Sequence, residues 1–201
     1  MTNALLQNSL FDFGELDIAA TIPGLTYIPE YITREQENEL ISVIDQQIWD
    51  YTLKRRVQHY GYQYNYRTKA APEHSYKGIL PLWLADLAAD LRHRSIFPVD
   101  PDQVIINEYL PGQGIALHVD HVDYFTDVVC SLSLGSACVM DFNHDTTHSL
   151  LLDPRSLLIL KGEARYLWKH GISKRRYDGY NGGIVARRRR ISLTFRKVAL
   201  S

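Results

Sequence analysis

His118-Val119-Asp120 places an imidazole and a carboxylate two residues apart, and a further histidine, His170, follows much later in the chain. Side chains at i and i+2 of a β-strand point to the same side. His118 and Asp120, at the end of the apolar segment Ile115–His118, can therefore grip one ion. His170 closes another β-like segment, Tyr166–His170, and can supply the third ligand. Two imidazoles and one carboxylate on one face leave the opposite positions open, which suits an Fe(II) ion that must take both a co-substrate and O2. The H-x-D pattern alone is a weak signal, because a surface histidine beside an acid looks the same. His121, His144 and His148 also compete for the role.

A second group lies near the C-terminus. In Arg190-Ile191-Ser192-Leu193-Thr194-Phe195-Arg196 two arginines stand on one face of an apolar strand. A buried guanidinium is costly unless it finds an anion. Two arrangements satisfy it: each arginine pairs with a protein carboxylate at a sheet edge, or both bind a dicarboxylate through forked hydrogen bonds. Spacing does not choose between them.

The elements that must position these groups are legible in outline. Residues 1–22 read as an extended lead-in, followed by the short apolar stretch Leu25–Ile28. Thr33 and Gln36 have capping-box spacing and open a helix carrying Leu40, Ile41 and Ile44. Pro81 suits the first position of a second helix, with Trp83, Leu84, Leu87 and Leu91 on its apolar face. Between them, Tyr51–Tyr66 alternates in the manner of strands, with Gly61 as a bulge or bend. From about Gln103 onward short β segments follow one another: Val104–Tyr109, Ile115–His118, Val128–Leu134, Ala137–Phe142, Ser149–Leu152, Leu157–Lys161, Tyr166–His170 and Ile191–Val198. That spacing predicts a mainly β fold of the sandwich or jelly-roll type. Ser173–Val185 reads as a mobile loop.

At 201 residues the chain suits one domain, and its net charge of −1 excludes a global attraction to nucleic acid while allowing a local basic face. Cys130 and Cys138, in apolar strands without metal-ligand spacing, are expected as buried, reduced thiols. No apolar run reaches the roughly 20 residues of a membrane span, and the N-terminus lacks a signal-peptide pattern. The expectation is a cytoplasmic monomer with no membrane association.

In order along the chain, Asn107-Glu108-Tyr109, Pro111-Gly112-Gln113-Gly114, His118-x-Asp120, His170-Gly171-Ile172 and the Arg190…Arg196 strand resemble the AlkB family of 2-oxoglutarate oxygenases. The likeness covers about residues 100–198, with a weaker echo from Leu25 through Tyr66. It implies a double-stranded β-helix (jelly roll) core with two N-terminal helices and a substrate lid. All would lie in one domain, residues 1–98 holding the helices and lid and 99–201 the catalytic core. It also implies Fe(II) on His118, Asp120 and His170, with 2-oxoglutarate and O2 as co-substrates. Arg190 would hold the distal carboxylate, helped by Tyr109, while Asn107 and Arg196 lie near the keto-acid end, with Ser192 in mid-strand. The chemistry implied is oxidative decarboxylation to succinate coupled to oxidation of a substrate C–H bond. A hydroxylated N-methyl group then releases formaldehyde, whereas a hydroxylated carbon substituent stays as an alcohol.

Two positions depart from the members that repair alkylated bases. Those usually carry an acid two residues after the metal aspartate, where Val122 stands here, and often an asparagine at the position of Ser192. Other runs, among them Arg55–Tyr62 and Gly162–Trp168, are similar to the branch that hydroxylates modified wobble uridines in tRNA. The expected partner is a DNA or RNA substrate, single-stranded or with a flipped base. Arg55, Arg56, His59, Tyr60, Tyr62 and Tyr64 are the candidate substrate contacts, and Lys174-Arg175-Arg176 and Arg187-Arg188-Arg189 are further basic runs. Two rival readings are the same chemistry on a protein side chain or small molecule, and a jelly-roll sensor that holds metal without turnover.

Overall fold

The computed structural model describes residues 21–63 and 75–199. Almost all of the expected lead-in, and Tyr64 and Tyr66 of the expected lid, lie outside the described residues. A six-stranded antiparallel sheet has the order β1 (Leu25–Ile28), β8 (Leu157–Leu160), β5 (Phe125–Gly135), β12 (Arg190–Val198), β3 (Gln103–Tyr109), β2 (Val57–Tyr60). Against it lies a four-stranded sheet in the order β4 (Ile115–His118), β9 (Lys169–Ile172), β6 (Cys138–Asn143), β7 (Thr147–Leu152). This is the mainly β jelly roll that the spacing of the segments predicts. Both edge strands of the larger sheet, β1 and β2, come from before residue 98, so the N-terminal part is built into the core sheet.

The two-residue period of β12 decides what each side of that sheet does. Ile191, Leu193 and Phe195 point outward and join Val104, Ile106, Leu132, Leu134, Leu157 and Ile159 in one buried cluster. Helix α1 (Arg34–Asp45) adds Leu40 and Ile44 to the cluster, and α2 (Leu82–His93) adds Leu84 and Leu91. The capping box at Thr33 forms as expected, with both reciprocal hydrogen bonds. Pro81 is the cap of α2 rather than its first helical residue, its ψ of 153° being extended. Glu37 of α1 accepts the amide of Gly135 and the guanidinium of Arg155, which fixes the helix across the end of β5. A second cluster fills the space between the sheets, with Val129, Leu158 and Leu160 facing Met140, Phe142, Leu152 and Ile172. Cys130 belongs to the first cluster and Cys138 to the second, and both are free thiols.

Three segments differ from expectation. Tyr166–His170 is not a strand throughout: Gly162–Tyr166 forms a short helix, α3, and β9 begins only at Lys169. Gly162, at φ +49°, turns the chain out of the sheet and into that helix. Ser173–Val185 contains a hairpin, β10 (Tyr177–Tyr180) and β11 (Gly183–Ala186). Its tip, Asn181-Gly182, has both residues at positive φ, the two-residue turn that Asn-Gly favours. In the alternating stretch Tyr51–Tyr66, the described strand is confined to Val57–Tyr60. Gly61 ends it at φ +71°, where an added Cβ would fall 1.7 Å from the carbonyl oxygen of Asp102. No described helix is long and apolar enough to cross a membrane.

Because Leu91 is 1% exposed inside the helix–sheet cluster, Leu91→Ala is expected to cost about 2–5 kcal/mol in urea unfolding. It should leave divalent-metal affinity unchanged, since the cluster lies on the face away from the histidines.

Candidate metal centre and active-site cavity

His118 and His170 are register partners on β4 and β9, with ring centroids 4.6 Å apart. The register shifts between Ile115 and His118, so β4 bulges beside Gly171. A Cβ at Gly171 would sit 2.9 Å from the Leu117 amide, so only glycine lets the bulge lie this close. His118 Nδ1 lies 2.8 Å from the carbonyl of Ala116, and donating to it fixes the tautomer that leaves Nε2 free. His170 Nε2 is 3.5 Å from Asp120 Oδ2, and that oxygen has no hydrogen-bond partner although it is buried. One ligand atom from each of His118, Asp120 and His170 lies within 4.8 Å of the others. His121, His144 and His148 stand apart: the first packs edge-on to Tyr124, and the other two flank Trp168.

Burial alone would raise the Asp120 carboxyl, but Arg196, His170, His118 and Arg165 together hold it down at about 2. Burial pushes the His170 imidazole down to about 4, with Asp120 opposing. At neutral pH the site thus presents a carboxylate and a neutral imidazole, the metal-binding forms, with no proton to release from either.

Asp120 does not lie in the strand, which ends at His118. What carries it round to the histidines is Arg165 of α3, 1% exposed. Its guanidinium donates to the carbonyls of Asp120 (2.9 Å) and His121 (3.0 Å), and at 3.4 Å to those of Phe125 and Thr126. The composition of the segment Gly162–Tyr166 gives no hint of this role. A buried arginine satisfied by main-chain oxygens becomes visible only once the fold is known.

The metal group lies at a cavity between the sheets. Ile105, Asn107 and Tyr109 of β3, Ser131 of β5 and Arg190, Ser192, Thr194 and Arg196 of β12 form its wall on the larger sheet. Ile115, Met140, His170 and Ile172 close it from the smaller one. The two arginines meet different fates. Arg196 is ion-paired with Asp120 and stands at the metal end. Arg190, 2% exposed, has no carboxylate partner among the described residues. It donates through Nη2 to Ser133 Oγ at 2.8 Å, and its Nε is buried without a partner. Tyr109 lies beneath it, 5.5 Å from ring centroid to guanidinium carbon. Ser192 hydrogen-bonds Ser131 across the strands at 2.7 Å.

The expected lid contacts divide by strand parity. Arg55 lines the cavity and donates to Asn107 Oδ1 at 2.9 Å. Arg56 points the other way, into a bidentate pair with Glu108, and lies 4.3 Å above the ring of Trp49. It holds β2 to β3 and is not available to a phosphate. Tyr60 is also on the outer face, edge-on to Trp83 at 5.6 Å and turned from the cavity. His59 is paired with Ile105 of the inner face, and burial, opposed by Asp50, holds its imidazole below its usual value. Tyr62 packs on Tyr76 at 5.0 Å, and Tyr76, not singled out from sequence, is 52% exposed. Tyr64 lies outside the described residues. Of the basic runs, Arg175 and Arg187 pair with Asp178, and Arg189 with Glu108 and Asp45. Lys174, Arg176 and Arg188 remain exposed.

The family model of the 2OG-Fe(II) oxygenase superfamily matches residues 24–196. A mimivirus protein, L905, is 38% identical over 90% of this chain and 87% of its own length. The mouse tRNA (carboxymethyluridine(34)-5-O)-methyltransferase ALKBH8 is 37% identical over 91% of this chain, which spans 32% of that longer protein. Among solved structures, that of OsALKBH1 superposes with a TM-score of 0.66 at 17% identity, over 87% of this chain and 97% of that one. The chain belongs to the 2OG-Fe(II) oxygenase superfamily. Within it the chain is AlkB-like, a 2-oxoglutarate-dependent dioxygenase. Membership implies Fe(II), 2-oxoglutarate and O2, and the donor set fits: two imidazoles and one carboxylate with a buried oxygen left unpartnered.

Arg165→Lys is expected to weaken Mn(II) binding about 10–100-fold, because one ammonium cannot serve the carbonyls of the Asp120 loop together. Calorimetry checks it, and a melting temperature near wild type would show that the loss is local.

Proposed function

We propose that this dioxygenase holds Fe(II) through His118, Asp120 and His170, binds 2-oxoglutarate on Arg190, and oxidises a modified nucleobase presented single-stranded or flipped from DNA or RNA. The observation that carries the reading is the pairing of a three-ligand group with a buried Arg190 that meets no acid among the described residues, along one cavity. Bound there, iron and 2-oxoglutarate supply an oxidant for a substrate C–H bond, with succinate and CO2 as by-products. Arg196 engages one oxygen of Asp120 and leaves the other for the metal. Arg190, with Ser133 orienting it and Tyr109 beneath, receives the distal carboxylate through a forked pair of hydrogen bonds. The apolar walls, Ile115, Met140, Leu158, Leu160 and Ile172, keep bulk water from the reacting centre.

Nucleic acid as substrate is supported by the mouse relative, which is named for a tRNA uridine, and by the exposed cations. Lys174 lies beside Ala116 and Leu117, on the strand that carries His118. Tyr76, propped by Tyr62, offers an exposed ring for stacking. Val122, 46% exposed, puts no acid where lesion-repair members usually have one, which favours RNA modification over repair.

The test is incubation with Fe(II), 2-oxoglutarate and either methylated oligonucleotides or wobble-modified tRNA, followed by nucleoside mass analysis. The reading expects succinate with a nucleoside that gains one oxygen or loses a methyl group. Succinate without any change in a nucleoside would point instead to a protein or small-molecule substrate. In binding measured across a salt series, Lys174→Ala with Arg176→Ala should lower the slope by about 0.7 per lost contact on single strands. Arg56→Gln should destabilise the fold without that signature.

A further inference from the structure

We infer that Arg55 is a direct ligand of the 2-oxoglutarate co-substrate, so that the segment leading into β2 completes the co-substrate pocket. The inference rests on the reading of the inter-sheet cavity as the 2-oxoglutarate site. Among the described residues, each buried or half-buried arginine but two has an acid or a set of carbonyls to receive it. Arg56, Arg92, Arg155, Arg175, Arg187, Arg189 and Arg196 pair with carboxylates, and Arg165 is taken up by main-chain oxygens. The exceptions are Arg190 and Arg55, and both line the same cavity. Their guanidinium carbons lie 5.5 Å and 5.9 Å from the centre of the Tyr109 ring. Tyr109 has Arg190 as its register partner on β12 and the segment before β2 on its other side; neither guanidinium meets an acid among the described residues, and an anion in the cavity would satisfy both. A dicarboxylate is such an anion, and Arg196, engaged with Asp120, is not free to take that place.

Arg55 is also held in position for the task. Its Nε donates to Asn107 Oδ1, which leaves the two terminal nitrogens for a ligand. On one side the carbonyl of Lys54 accepts from Gln113 Nε2 at 2.8 Å, and on the other Arg56 is locked to Glu108. A backbone pinned at both neighbours does not wander with the nucleic acid. It presents one guanidinium to the cavity.

The experiment is calorimetric titration of 2-oxoglutarate into the Mn(II)-loaded protein without nucleic acid, for wild type, Arg55→Gln, Arg55→Lys and Arg190→Gln. Arg55→Gln should bind 2-oxoglutarate at least tenfold more weakly with Mn(II) affinity and melting temperature unchanged, and Arg55→Lys should fall between it and wild type. Wild-type 2-oxoglutarate affinity in Arg55→Gln, beside a clear loss in Arg190→Gln, overturns the role of Arg55 alone. Wild-type affinity in both overturns the cavity reading as well. A loss confined to nucleic-acid binding in Arg55→Gln also overturns the inference and makes Arg55 a substrate contact.

Discussion

A guanidinium cannot stay buried unless something receives its N–H groups, and the way this chain meets that demand shapes its centre. Arg165 spends its donors on the carbonyls of the loop after His118 and so sets where Asp120 stands. Arg196 spends its charge on Asp120 itself. Arg190 is left with one serine hydroxyl and an Nε facing no partner, the place that the proposed dicarboxylate would complete. Three arginines thus connect the end of the cavity at His118, Asp120 and His170 to the end at Arg190.

The sheet supplies the frame. Alternation along β12 sends Ile191, Leu193 and Phe195 outward to the helices, and Arg190, Ser192, Thr194 and Arg196 inward to the cavity. The outer cluster can therefore be as apolar and closely packed as stability requires, without constraining the polar inner wall. The smaller sheet brings two histidines into register across β4 and β9, and the larger one brings the cations. The candidate site lies where the two faces meet. The same alternation explains why neighbours in sequence have unlike tasks, Arg55 facing the cavity and Arg56 holding two strands together.

The metal group was legible in sequence because its ligands sit on or beside strands, where spacing maps simply onto direction. The arginine pair on β12 was legible as two inward-facing cations for the same reason, and the coordinates add that Arg196 pairs with Asp120 while Arg190 meets no acid among the described residues. The lid was read less well. A run of tyrosines and arginines looks uniform in composition, but parity turns Tyr60 and Arg56 away from the cavity. Asn181-Gly182 carried a hairpin signal that its polar surroundings obscured, and Arg165 gave none, since its partners are main-chain oxygens.

Anomalous diffraction at the manganese edge, from crystals grown with Mn(II) and a non-reactive analogue of 2-oxoglutarate, tests the central claim most directly. The account predicts one strong peak enclosed by His118, Asp120 and His170, and an analogue whose distal carboxylate meets the Arg190 guanidinium. A peak at His144 and His148, or an Arg190 paired with a protein acid while the analogue binds elsewhere, would contradict it.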